Sequence, residues 1–185
     1  MKKSKIAFAG MIFLFVLSAC KKEKTPVTNP PAPVIEEELI TTLKITFLDS
    51  TGINPTVTAM FQDLDGPGGN APTAMDTIRL KRMSTYHATI QVLNESISPS
   101  EDITLEILDE AASHLFCFAI TGASASVSRT DSDGTYELGV TSKWNTGSAT
   151  TGTATVVLKH QPGIKDGSCI VGETDIEVVF PLIIE

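Results

Sequence analysis

The chain has 185 residues, and 22 Asp and Glu against 14 Lys and Arg give it a formal charge of −8. That balance excludes nucleic acid as a partner, because phosphate backbones are held by Lys and Arg that release counterions. The three cysteines form no CxxC motif, which excludes a compact cysteine-based zinc or redox centre.

In chain order the first element is a leader. Lys2, Lys3 and Lys5 precede an apolar run of 14 residues, Ile6 to Ala19. This is too short for a hydrocarbon core of ~30 Å, which takes about 20 helical residues, and it matches the apolar segment of an export signal. The run ends at Leu17-Ser18-Ala19-Cys20, and Lys21, Lys22 and Lys24 follow at once. This ending resembles the lipobox of bacterial lipoproteins. The resemblance implies a signal peptide over 1–19 and a Cys20 that carries a diacylglycerol thioether and an N-acyl chain. Two or more acyl chains anchor a protein stably where one binds marginally, so the expected anchor is Cys20 alone. Loss of the leader leaves 11 Lys and Arg against 22 Asp and Glu, a net charge of −11.

Residues 20–38 follow as lipidated cysteine and linker, with Pro26, Pro30, Pro31 and Pro33 and no periodicity. Proline-rich linkers extend at ~3.1 Å per residue, enough to hold a domain up to about 50 Å from a membrane.

From Leu39 the period is two. Leu43, Ile45 and Phe47 alternate with Thr42, Lys44 and Thr46, and Val57, Ala59 and Phe61 with Thr56, Thr58 and Gln62. The same pattern marks TIRLKR, TYHATIQV, DITLEIL, HLFCFAI, SASVSR, TYELGV, GTATVVLKH and TDIEVVFPLII, with turn formers between them. Alternation in short β-branched runs predicts half-buried strands. Only LDEAASH, 108–114, offers a helical turn. Nine or ten strands in one domain, 39–185, predict an all-β antiparallel β-sandwich, immunoglobulin-like, with a β-barrel as the alternative. A domain of this size buries a sufficient core without metal or disulfide support.

Two aspartate loops are candidate calcium or binding loops: Asp63, Asp65 and Asn70 in one, Asp131 and Asp133 in the other. An EF-hand-type loop needs side-chain oxygen at position 5 and a bidentate Glu at position 12. Counted from Asp63 these are Pro67 and Ala74, and counted from Asp131 they are Thr135 and Ser142. Turn chemistry is the stronger reading, since Asp-Gly supplies positive φ and Asp bonds its own backbone.

His87 falls in the polar register of its strand, whereas His114 and His160 share the registers of Phe116/Phe118 and Val156/Leu158 at strand ends. That pair is the candidate for haem or transition-metal ligation, set against rim histidines bonded to backbone. Cys117 and Cys169 either form a disulfide, as an oxidising compartment permits, or are a buried strand residue and a loop thiol. The acid pairs Glu101-Asp102 and Asp109-Glu110 read as solvated loop acids. No GxSxG elbow, HExxH helix or phosphate loop occurs, so the expectation is a non-enzyme with no required cofactor.

FQDLDGPGGNAP and the C-terminal TVVLKHQPGIKDG…GETDIEVVFPLII together resemble a loosely defined group of small β-rich outer-membrane lipoproteins. That resemblance implies association with TonB-dependent import systems and brings no catalytic residues. The expected protein is therefore a non-catalytic accessory lipoprotein of the outer membrane, with surface exposure favoured over a periplasmic face. Its partners would be the membrane and a TonB-dependent receptor or other surface protein. Loops 62–76 and 160–173 are its candidate binding surfaces, with 130–135 behind them. A metal or haem carrier and a structural envelope protein are the alternatives.

Overall fold

The computed structural model describes residues 39–66 and 68–185. The leader 1–19, Cys20 and the rest of the linker to residue 38 lie outside the described residues. Along the chain run β1 (Thr42–Asp49), β2 (Val57–Gln62), β3 (Ala74–Met75), β4 (Ile78–Leu80), β5 (Thr85–Asn94) and β6 (Glu101–Asp102). A short helix α1 (Thr104–Asp109) and a 3₁₀ turn (Ala111–Ser113) come next. Then follow β7 (His114–Thr121), β8 (Ala125–Arg129), β9 (Thr141–Thr146), β10 (Thr150–His160) and β11 (Glu173–Ile184).

The strands form two sheets. One has the order β3-β2-β1-β5-β9-β8, with β6 added beside β5, and the other has β4-β11-β10-β7. Among the described residues every strand pairing is antiparallel except the short one between β4 and β11. Neither sheet closes on itself or on the other, so the fold is a sandwich and not a barrel. No helix among the described residues is long and apolar enough to cross a membrane.

The alternation explains the core directly, because successive side chains of a strand face opposite ways. Leu43, Ile45 and Phe47 of β1 are fully buried, opposite Val92, Ile90 and Ala88 of β5. The facing sheet supplies Phe116, Ala154, Val156, Leu158, Val178, Phe180 and Leu182. Trp144 ties the layers together. Its ring meets Phe47 of its own sheet at 5.1 Å and Phe118 of the facing one at 6.0 Å, both edge-on, and its Nε1–H donates to Ser142 Oγ at 3.0 Å. Edge-to-face contact is the favoured geometry for aromatic quadrupoles.

Three segments differ from the sequence expectation. DITLEIL is β6 followed by α1, not one strand. Ile103 and Ile107 are both buried while Leu105 and Leu108 are exposed; Ile103, Leu105 and Ile107 satisfy a period of two as sequence, but only Ile103 and Ile107 satisfy the i, i+4 spacing of a helix face. The Thr104 hydroxyl then takes the place of a strand backbone on β5, accepting from Val92 N–H at 2.8 Å and donating to its carbonyl. TYELGV is not a ladder strand, because it crosses between the sheets: Phe116 N–H of β7 donates to Leu138 O, and Ile90 N–H of β5 to Val140 O. The strand that flanks β5 on the side away from β1 is instead TSKWNT, β9, a segment without the expected alternation of apolar residues.

Candidate functional site

β7 and β10 pair from Thr121↔Thr153 to His114↔His160, so the register places the two histidines directly opposite each other at the end of the ladder. Their rings stack, with centroids 4.8 Å apart and planes 8° from parallel. His114 is buried and His160 half-buried. The segment leading into β7 adds a third group. α1 and the 3₁₀ turn bring Glu110 back over His114, and the donor atoms of Glu110, His114 and His160 all lie within 4.8 Å of one another. Glu110 was not among the ligands expected from sequence, where it reads as a solvated loop acid. The only available signal was its spacing, four residues before His114.

The Glu110 carbonyl lies 3.2 Å from His114 Nδ1. With the proton on Nδ1 that contact is a hydrogen bond, and Nε2 keeps its lone pair. Burial holds the His114 imidazole below its ordinary range. The hydrogen bond to the Glu110 carbonyl opposes that shift, His160 adds to it, and the Glu110 and Glu106 carboxylates oppose it again. A neutral imidazole is the form that ligates metals. His87, the third histidine, faces solvent from β5 as its register predicts.

The loop between β10 and β11 is fastened behind this cluster. Gln161 N–H donates to Ser113 O at 2.5 Å, and its side-chain amide donates to Ser168 O and Val171 O at 2.8 and 2.9 Å. Lys165 Nζ donates to Ala111 O at 2.8 Å and to Asp133 Oδ2 at 2.7 Å. Cys169 is joined to Cys117 of β7 by a disulfide, which resolves the choice the sequence left open. Gly172 has φ +81°, and a Cβ there would stand 2.2 Å from His160 O, so only glycine lets the chain return beneath His160.

The aspartates at 131 and 133 are turn residues. Asp131 accepts from Gly139 N–H at 2.6 Å and Thr141 N–H at 2.9 Å. Asp133 Oδ1 accepts from Thr135 and Tyr136 N–H, both at 2.7 Å. With Lys165 on Oδ2, both oxygens of the Asp133 carboxylate already accept hydrogen bonds.

In the glycine-rich loop Asp65 accepts from Asn70 N–H at 2.8 Å and Nδ2 at 2.7 Å. Asn70 thus presents donors where a calcium ligand would present an oxygen. Asp63 is 8% exposed, and its Oδ1 has no hydrogen-bond partner among the described residues. Burial, a hydrogen bond that the Asp63 carboxyl donates to Asp65, and the like charge of Asp65 all raise Asp63 above the usual range, while Asn70 holds Asp65 below it. Asp63 lines a cavity of about 280 Å³ with Ile40, Phe61 and Gly66 on one side and residues 174–177 of β11 on the other. Loop 62–76 and the start of β11 therefore meet, and β11 starts beside His160. The candidate loops and the histidine pair all sit at the same end of the sandwich.

No family model matches the chain, and no curated protein or solved structure matches it either. The functional reading rests on the residues themselves.

Proposed function

We propose that the chain is a non-catalytic, lipid-anchored binding module of the outer membrane, an accessory to an uptake system, and that it binds at the loop end of its sandwich. The resemblance of residues 17–20 to a lipobox and the proline-rich tether support the anchor. The observation that carries the binding reading is the gathering of loop 130–140, loop 161–172 and the α1–3₁₀ segment into one fastened surface. Lys165 is bonded to both Asp133 and Ala111 there. A preformed surface loses little conformational freedom on binding, which a purely structural envelope domain would not require.

The test is fractionation of the native host with labelled fatty acid. The full chain should carry label and sediment with outer membranes, and Cys20→Ala should lose both properties. Cross-linking in intact cells should then join the anchored chain to a TonB-dependent receptor. An unlabelled, freely soluble wild-type chain contradicts the anchor, and a labelled chain that cross-links to no importer contradicts the accessory role.

A further inference from the structure

We infer that Glu110, His114 and His160 form a binding site for a borderline divalent transition-metal ion, with zinc as the ion it fits first. The proposal gives a ligand to the binding surface described above and rests on that reading only for its biological purpose.

The donor set is the first argument. Two imidazoles and one carboxylate are the groups that suit zinc, copper or nickel. Calcium would need six to eight oxygens. Three protein donors with the remaining position open to solvent make an exchangeable site, not a closed structural one. Glu110 is exposed and His160 half-buried, so the cluster opens to one side while His114 forms its floor.

The hydrogen bonding is the second argument. Metal-ligating histidines regularly donate their other N–H to a carbonyl or carboxylate, which fixes tautomer and ring orientation. His114 Nδ1 has such a partner in the Glu110 carbonyl at 3.2 Å. One residue therefore orients the imidazole through its backbone and contributes a ligand through its side chain.

Support from the fold is the third. The opposition of His114 and His160 is set by the whole β7–β10 ladder, and the Lys165 and Gln161 bonds brace the segments on either side. Binding zinc asks the donor atoms to close from within 4.8 Å to the ~3.3 Å spacing that Zn–N bonds of about 2.0–2.1 Å set in a tetrahedron. Ring rotation of the half-buried His160 and the exposed Glu110 side chain can supply that movement. A haem fits less well: bis-histidine ligation places the two rings on opposite faces of the macrocycle, and these rings are stacked on each other.

The test is titration of the purified, chelator-stripped full chain in detergent with ZnCl2 against a chromophoric competitor, and with CoCl2 read by its visible d–d absorption. One ion per chain is expected, with CaCl2 failing to compete. His160→Gln should weaken zinc by at least about a hundredfold and Glu110→Gln by about tenfold or more, since even outer-shell partners of metal ligands cost 10–100-fold. His87→Gln should leave affinity unchanged. Neither of the two weakening substitutions touches a fully buried group, so melting curves of both variants should match wild type without metal. Absence of 1:1 binding, or binding that His160→Gln and Glu110→Gln leave intact, overturns the proposal. Neither result bears on whether Cys20 is lipidated.

Discussion

Asp133 joins two loops with a single carboxylate. One oxygen caps its own turn through Thr135 and Tyr136, and the other takes the Lys165 ammonium from the far loop. The side chains of the pair are only 7% and 3% exposed. The Lys165 hydrogen bond, followed by those from Tyr136 and Thr135, holds the carboxyl down to about 2. A carboxyl whose folded pKa is depressed stabilises the fold fully above its unfolded value, near 4, and loses that contribution as pH falls toward 2. Chemical denaturation at several pH values should show wild type weakening across that window. Asp133→Asn should be flatter there and less stable at pH 7 by about 3 kcal/mol, the scale for removing one partner of a buried pair. Equal pH slopes for the two proteins would contradict this account. Asp63 lies at the opposite extreme, raised by burial and by Asp65, and two neighbouring carboxylates can carry such opposite shifts because one of them keeps the proton.

Among the elements, β7 and the loop 161–172 are joined covalently across a separation of 52 residues by Cys117 and Cys169. Closing a loop of that length removes about 4 kcal/mol of unfolded-chain entropy. Reduction, or Cys117→Ser with Cys169→Ser, should lower the denaturation free energy by about that amount while the strand signature in circular dichroism persists. A stability unaffected by reductant would contradict it. Strands whose inward positions are apolar, such as β1, β5 and β10, were legible because period two and burial coincide. β9 was not, since its inward residues are Ser142, Trp144 and Thr146, two of them polar. α1 was misread because Ile103 and Ile107 fit both periods. The registers of His114 and His160 could be read locally, but their meeting required β7 and β10 to be neighbours. Glu110 fell in the helical turn expected over 108–114, but its approach to His160 likewise required β7 and β10 to be neighbours.

At the scale of the molecule, the sandwich is acidic and gathers its candidate loops at one end. Net negative charge raises the local concentration of cations near a protein surface, which suits an ion-binding end more than an anion-binding one. In the proposed arrangement a proline-rich tether of up to about 50 Å would let that end reach a neighbouring importer. The acid-rich loops look like calcium sites in sequence, yet the Asp65, Asp131 and Asp133 carboxylates already accept from Asn70, from turn N–H groups and from Lys165. At that same end the histidine pair instead groups two imidazoles and the Glu110 carboxylate within 4.8 Å of one another. Anomalous diffraction at the zinc edge, from crystals of the full chain equilibrated with one equivalent of zinc, separates these two clusters most directly. The account predicts one peak at about 2.0–2.2 Å from nitrogens of His114 and His160 and from a Glu110 carboxylate oxygen. A peak at Asp63 and Asp65 instead, or none at the histidine pair, would contradict it.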